Sequence, residues 1–541
     1  MAERALWALC LGALFLICAL ALREGVRASG DLDWPGDPDL FRDIAQSQTF
    51  LQGNWDGDPY YRHGKLWYSP LVPAAVAVGS RLTNSPTHRL YARAGAYLNL
   101  LAPLCFFALV AQFFTRGAAL AAVFSFVFLS GQNLPAFASA TYSPWLFPGL
   151  FAQSFFFLSL IALRWAWSSQ SHLRYGIAGF VCGVTFLAHA APAVILVAIV
   201  ASIAFSAEPG PASATSRRAL STQWLALLLS AVAVSSPLLW TIAVHYGLRT
   251  RNPGPGSWQW PLLYWRELAH LASVALSWAT AAAFLGALVT WRRRKGSFEA
   301  RVLGVWAIAC VLWIGYGYLT RVLASSIALP RALPSHHFVF YLKALESVFF
   351  GVGVAAVCGF LTGRLGGRFG VRLAPDALVS ALVVALVALH YPSYRERPDF
   401  TLSRRKAERF LERNDRLAAF DWIAKNTEPE AVFLCEDDLS LYVVGPAGRK
   451  VVAADRFFSN PYLDWNYRNR RRNRMLRCLA DEDEPCFRAL ASQHEVAYVL
   501  VESGEITGLE NVAFIEKLFE RGRVRIYGVR RSSAPADSSS S

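Results

Sequence analysis

Two stretches of the chain hold the residues able to do chemistry. The first, residues 33–71, reads DWPGDPDLFRDIAQSQTFLQGNWDGDPYYRHGKLWYSPL and carries six aspartates, Asp33, Asp37, Asp39, Asp43, Asp56 and Asp58, among many aromatics. A carboxylate within hydrogen-bond reach of a hydroxyl can take its proton as the oxygen attacks, which makes Asp37 and Asp39 candidates for general-base work. The same residues also make a strong helix start. Asp37 suits the N-cap, Pro38 the first helical position, and Asp39 the positive end of the helix dipole. The helix that follows places Leu40, Phe41, Ile44, Ala45 and Leu51 on one side, the pattern of an amphipathic helix lying in a membrane interface. Asp56, Asp58 and His63 offer oxygen and nitrogen ligands to a divalent metal, although Asp56-Gly57 and Asp58-Pro59 are also ordinary turn formers. The second stretch, TRVLASSIALPRALPSHHFVFYLK (320–343), contains Arg321, Arg331, His336, His337 and Lys343 and no acid. Such a set suits an anionic ligand such as a phosphate, with interfacial snorkelling as the ordinary alternative.

These residues are set in a membrane chain. It has 541 residues, 54% of them apolar and 17% charged, where soluble domains carry about 25% charged. Eleven apolar runs are long enough to cross or nearly cross a bilayer, near 5–22, 90–114, 117–133, 144–166, 174–189, 190–206, 222–246, 265–290, 300–319, 338–362 and 374–391. The pair at 174–206 reads either as two short spans meeting at Pro192 or as one broken unit. With the N-terminus in the cytoplasm, Arg116, Arg174, Arg217, Arg218, the run Arg292–Lys295, and Arg364, Arg368 and Arg372 all fall inside, as the positive-inside rule requires. Much of the +15 net charge is then topology and not a nucleic-acid footprint. The first run is read as a retained helix, because ALREGVRASG gives no clean signal-peptide cleavage site. The odd number of spans puts the aspartate loop (23–89) and the chain after 391 on the outer side.

The expected organisation is a polytopic α-helical domain over 1–391, an extracytoplasmic α/β domain over 392–531, and a disordered tail over 532–541. Helical periodicity over 404–427 and helices near 466–480 and 483–494 alternate with short strands at 431–435, 450–455, 497–502 and 523–529. Cys478 and Cys486 flank LADEDEP in this outer domain, where a disulfide and two free thiols are both admissible. No CxxC or Cys/His pair has zinc spacing.

The order of parts resembles the first outer loop of the GT-C superfamily of polytopic membrane glycosyltransferases, which includes the protein O-mannosyltransferases and the aminoarabinose transferases. Asp37 stands at that family's acidic position, followed by Phe41, Ile44 and Ala45. Gly53 and Trp55 match its Gly-x-Trp element, and Tyr68-Ser69-Pro70-Leu71 stands where many members have Pro-Pro-Leu. The stretch GFVCGVTFLAHAAPAVILVAI (179–199) looks like the family's later Gly-rich span with a Thr/His break. Position 38 is Pro where the family has Glu, so the second acid falls to Asp39. The resemblance implies a GT-C-like fold of about 11 transmembrane helices. It implies inverting transfer of a sugar from a polyprenyl-phosphate-type donor to a glycan, lipid or protein acceptor at the outer face of a cell membrane. Asp37 and Asp39 would be catalytic. Relatives use basic residues of late outer loops against the donor phosphate, and the acid-free run 320–343 offers Arg331, His336, His337, Lys343 and Arg321 for that role, although no family motif assigns them singly; Trp55, Asp58, Tyr61, His63, Lys65 and Tyr68 are the substrate candidates of the first loop. A divalent metal is compatible with the loop but not required by it. The rival readings are a multi-pass transporter and a lipid-linked glycan polymerase or ligase.

Overall fold

The computed structural model describes residues 2–129, 142–169, 171–205, 217–257, 277–323, 333–369, 374–502 and 509–530. Among these, seven helices are long and apolar enough to cross a membrane, and four shorter apolar helices accompany them. Every apolar run of the sequence carries a helix, the run at 265–290 being described from Ser277 onward as Trp278–Arg294. The pair at 174–206 forms two helices, His172–Ala188 and Ala190–Phe205. They break at His189 and not at Pro192. Pro192 sits in the first turn of the second helix, where its missing N–H costs nothing. One continuous apolar core, from Ile17 through Phe106, Phe126, Phe156 and Trp306 to Tyr341 and Val383, holds the spans together.

The C-terminal unit is a five-stranded mixed sheet in the order β2-β1-β3-β5-β4, with β1 Val432–Leu434, β2 Lys450–Val451, β3 Val496–Glu502, β4 Ile515–Arg521 and β5 Val524–Val529. β1 pairs in parallel with β2 and β3, and β5 is antiparallel to both β3 and β4. Helices Trp465–Ala480 and Glu484–His494 cover it through Met475, Leu479, Phe487 and Leu490, and a disulfide joins Cys478 to Cys486.

A second core ties this unit to the aspartate loop. Leu40, Phe41, Ile44 and Ala45 pack with Phe410, Phe420, Leu439, Val443 and Val444. Polar contacts seal the same junction. Lys450 donates to the Asp58 carbonyl at 2.7 Å and to Thr49 Oγ1 at 3.3 Å, and the Val451 amide donates to the Tyr60 carbonyl at 2.8 Å. The loop and the sheet therefore lie on one side of the span layer, whichever side that is.

Candidate active site

Helix Pro38–Leu51 begins as its residue types dictate. Asp37 is the N-cap, its side chain accepting from the Asp39 amide at 3.1 Å, and Pro38 occupies the first position. The helix does not lie on the surface as an interfacial helix would. Ten of its 14 residues are buried, including Arg42, Asp43, Gln46 and Ser47. Its apolar side meets the sheet unit, with Phe41 edge-on to Phe410 and Tyr442 at 4.8 Å. Its polar side is also covered, because Ser47 Oγ donates to the Pro73 carbonyl at 3.0 Å and lies 3.1 Å from Tyr91 Oη. Gly36, immediately before the cap, has no room for a side chain. A Cβ there would lie 2.3 Å from the Ala407 amide nitrogen of helix Pro398–Leu411.

Burial sets the chemistry of the acids. Burial, and then the neighbouring Asp39 charge, raise Asp37 to about 6, with Lys406 opposing. Burial raises Asp43 to about 7 against the pull of Arg42. Arg42 is one turn past the cap and serves both neighbours, at 3.1 Å from Asp39 and 3.0 Å from Asp43. Its guanidinium lies over the Tyr68 ring at 3.9 Å. Tyr68 in turn stands edge-on to His189 at 6.4 Å, in the break between the two short helices. The His189 ring is 4.4 Å from that of His337, and His337 is 4.0 Å from His336, both in the first turn of helix His336–Phe369. A contact path thus runs from the acids through Arg42 and Tyr68 to three histidines at span ends. Gly149 sits against it, its Cβ direction 3.7 Å from His189 and 3.8 Å from His337.

The remaining sequence candidates are placed as follows. Asp58 is fully buried and holds the loop, accepting from the Tyr60 and Tyr61 amides at 2.8 and 3.1 Å and from Asn460 at 2.7 Å. Tyr61 is buried with its hydroxyl 2.5 Å from Ser459 Oγ. His63 pairs with Glu495 at 3.3 Å and Lys65 with Asp56 at 2.5 Å, both exposed. Asp56, Asp58 and His63 therefore face three different partners. Among the described residues no group of three His, Cys, Asp or Glu is set to hold a metal. Trp55 stacks on Phe50 at 5.1 Å and is half-exposed. Lys343 lies two turns beyond His336 in the same helix and is buried. Arg321 falls in the last turn of helix Phe298–Val322, its side chain outside the described residues, and Arg331 lies outside them altogether.

Sequence reasoning did not single out Arg42, Asp43 or His189 as site residues. The Thr/His break at 179–199 was the available signal for His189. Arg42 and Asp43 looked like the solvent side of an amphipathic helix. Cavity size alone does not find the site either. Cavities of about 950 Å³ beside Arg416 and about 650 Å³ beside Arg27 both lie away from the acidic helix.

No protein-family model matches the sequence, and no curated protein matches it significantly. Solved structures do. ArnT from Cupriavidus metallidurans bound to undecaprenyl phosphate superposes with a TM-score of 0.55 at 13% identity, over 96% of this chain and 98% of that one. The apo oligosaccharyltransferase of Archaeoglobus fulgidus gives 0.51 at 14% identity, over 94% and 73%. The archaeal oligosaccharyltransferase AglB from the same organism, in complex with an inhibitory peptide and a dolichol-phosphate, gives 0.50 at 15% identity, over 91% and 69%. The chain shares the polytopic membrane fold of these transferases, the GT-C-like fold that its first outer loop led us to expect.

Proposed function

We propose that this protein is a membrane glycosyltransferase that moves a sugar from a polyprenyl-phosphate-type donor to an acceptor at the outer face of the membrane. The observation that carries the reading is the joining of the Asp37–Asp39 cap through Arg42 and Tyr68 to His189, His336 and His337, on a fold shared with structures that hold undecaprenyl phosphate or dolichol-phosphate. Asp37 accepts the acceptor hydroxyl's proton. The new bond forms between that oxygen and the anomeric carbon, and the bond from that carbon to the phosphate oxygen breaks. A single displacement of this kind inverts the anomeric centre. A carboxyl held near 6 is a stronger base than an ordinary one yet remains mostly ionised at neutral pH. Asp39 and Asp43 fix the Arg42 guanidinium beside the developing charge.

The leaving phosphate accepts hydrogen bonds from the histidines, with Arg321 and Arg331 of the same stretch as its cations. Lys343 is about 10 Å deeper along its helix than His336 and serves the phosphate less directly. Trp55, half-exposed, offers its ring to a sugar, Tyr68 carries the Arg42 guanidinium toward His189, and Asp58, Tyr61, His63 and Lys65 shape the loop. The positive-inside pattern supports a cytoplasmic N-terminus. The shared core of loop and sheet supports an outer location for the C-terminal unit, beside the acids. Purified protein in nanodiscs, given a radiolabelled polyprenyl-phosphate sugar and membrane-extract acceptors, should transfer label in an Asp37-dependent way. Uptake of label without covalent transfer would instead favour a transporter.

A further inference from the structure

Helix Trp465–Ala480, WNYRNRRRNRMLRCLA, carries six arginines and no acid. They divide by direction. Arg468 points inward, over the Tyr61 ring at 4.1 Å and onto the Val452 carbonyl at 3.1 Å, Arg472 pairs with Asp437, and Arg471 lies over the Tyr467 ring at 5.1 Å. Arg470, Arg474 and Arg477 are exposed at i, i+4 and i+7, one stripe about 10 Å long, with exposed Asn466, Tyr467 and Asn473 beside them. Exposed Arg249, Arg251 and Arg456 extend the charge past the helix start. The Arg251 and Asn252 amides donate to the Pro461 carbonyl at 2.8 and 2.9 Å, and Arg456 lies over Trp465 at 5.6 Å. None of these six exposed arginines has an acidic partner among the described residues. Asp481, Glu482 and Asp483 stand past the helix end and pair with none of them.

We propose that this arginine face docks the acceptor, and that the acceptor is a linear glycan bearing carboxylate or phosphate groups. The inference rests on the glycosyltransferase reading. An unpaired row of guanidinium forks is built for repeated anions along a strand. The asparagines beside them offer amide donors to hydroxyls. A lipid surface fits less well. An interfacial helix inserts an apolar side, and the apolar side here, Met475, Cys478 and Leu479, is already buried against the sheet. The helix that carries the stripe starts beside the aspartate loop, because Arg468 covers Tyr61.

The test reads binding. Full-length protein in phosphatidylcholine nanodiscs is titrated with oligoglucuronate, polyphosphate and neutral dextran. Wild type should bind both polyanions, more weakly as salt rises, and ignore dextran. The triple variant Arg470→Ser, Arg474→Ser, Arg477→Ser should weaken polyanion binding by roughly tenfold, the sum expected of three exposed ionic contacts. The matching triple Lys variant, which retains charge, should keep most of it and controls for folding. Unchanged binding in the Ser variant overturns the proposal. So does a loss seen only with phosphatidylglycerol vesicles, which would make the face a membrane anchor. Transfer is not the readout, so wild-type protein that transfers no sugar would sink the function reading and leave this binding result to be judged separately.

Discussion

Asparagine caps a helix about as well as aspartate, so Asp37→Asn isolates the charge from the fold. The amide oxygen can still accept from the Asp39 N–H, and Gly36 and helix Pro398–Leu411 are untouched. Burial and Asp39 hold the Asp37 carboxyl at about 6 against an ordinary 3.8, which costs the ionised folded form about 1–3 kcal/mol once partial exposure is allowed for. The sign follows from a raised folded value. That contribution to stability is complete below pH 3.8 and is lost as pH rises through 6. At pH 7.5 the Asn variant is therefore as stable as wild type or more so. Its rate should nonetheless fall by about 10²–10⁴, the range of a lost general base. Single-turnover transfer from a labelled polyprenyl-phosphate sugar, read beside a thermal melt, separates the two effects. Wild-type kcat/KM should drop about tenfold per pH unit below 6, and the residual Asn rate should not follow that limb. A variant rate within twofold of wild type refutes the assignment of Asp37, and a rate loss matched by a fall in Tm refutes the claim that the loss is chemical.

Gly36→Ala should lower both Tm and activity by pushing helix Pro398–Leu411 off the cap, at a cost of about 1–3 kcal/mol; a melt unchanged from wild type would show that the contact yields freely. Asp43, raised to about 7, contributes stability that is full below pH 3.8 and lost as pH rises through 7, so Asp43→Asn should flatten the decline in Tm between about pH 4 and 7. A melting series that keeps its wild-type slope counts against it. Reducing the Cys478–Cys486 bridge should cost the C-terminal unit about 2–3 kcal/mol, the entropy of a short closed loop, seen as earlier proteolysis within 465–494. Identical digestion with and without reductant would show that the bridge adds nothing.

The spans were legible because each must bury some 20 residues in hydrocarbon, and that demand writes itself into composition. The cap at Asp37 was legible because capping is local chemistry. β3 and β5, rich in Val, Ile and Tyr, could be read directly. β4, IEKLFER, could not, because it is an edge strand whose charges face solvent and whose pattern also suits a helix. The periodicity over 404–427 hid a break at 412–413, where no Gly or Pro marks the end of one helix and Asn414 starts another. Arg42 and Asp43 were misjudged for a related reason. A polar face reads as solvated unless one knows that another part of the chain covers it, and Tyr91 and the helix at Leu71–Thr83 do so from tens of residues away. The three histidines come from segments nearly 150 positions apart, a proximity that no local pattern encodes.

The Lys450–Asp58 contact joins positions 392 residues apart. During synthesis at about 5–20 residues per second, the aspartate loop therefore waits roughly 20–80 s for the strand that seals it. Throughout that interval Asp37 and Asp43 lack the buried surroundings that raise their carboxyls in the finished protein. A ribosome that stalls before residue 450 leaves an inserted but inert chain in the membrane. The last fifth of the polypeptide thus acts as a completion signal for the loop, and under the proposed function a nascent chain would not transfer sugar before it is made.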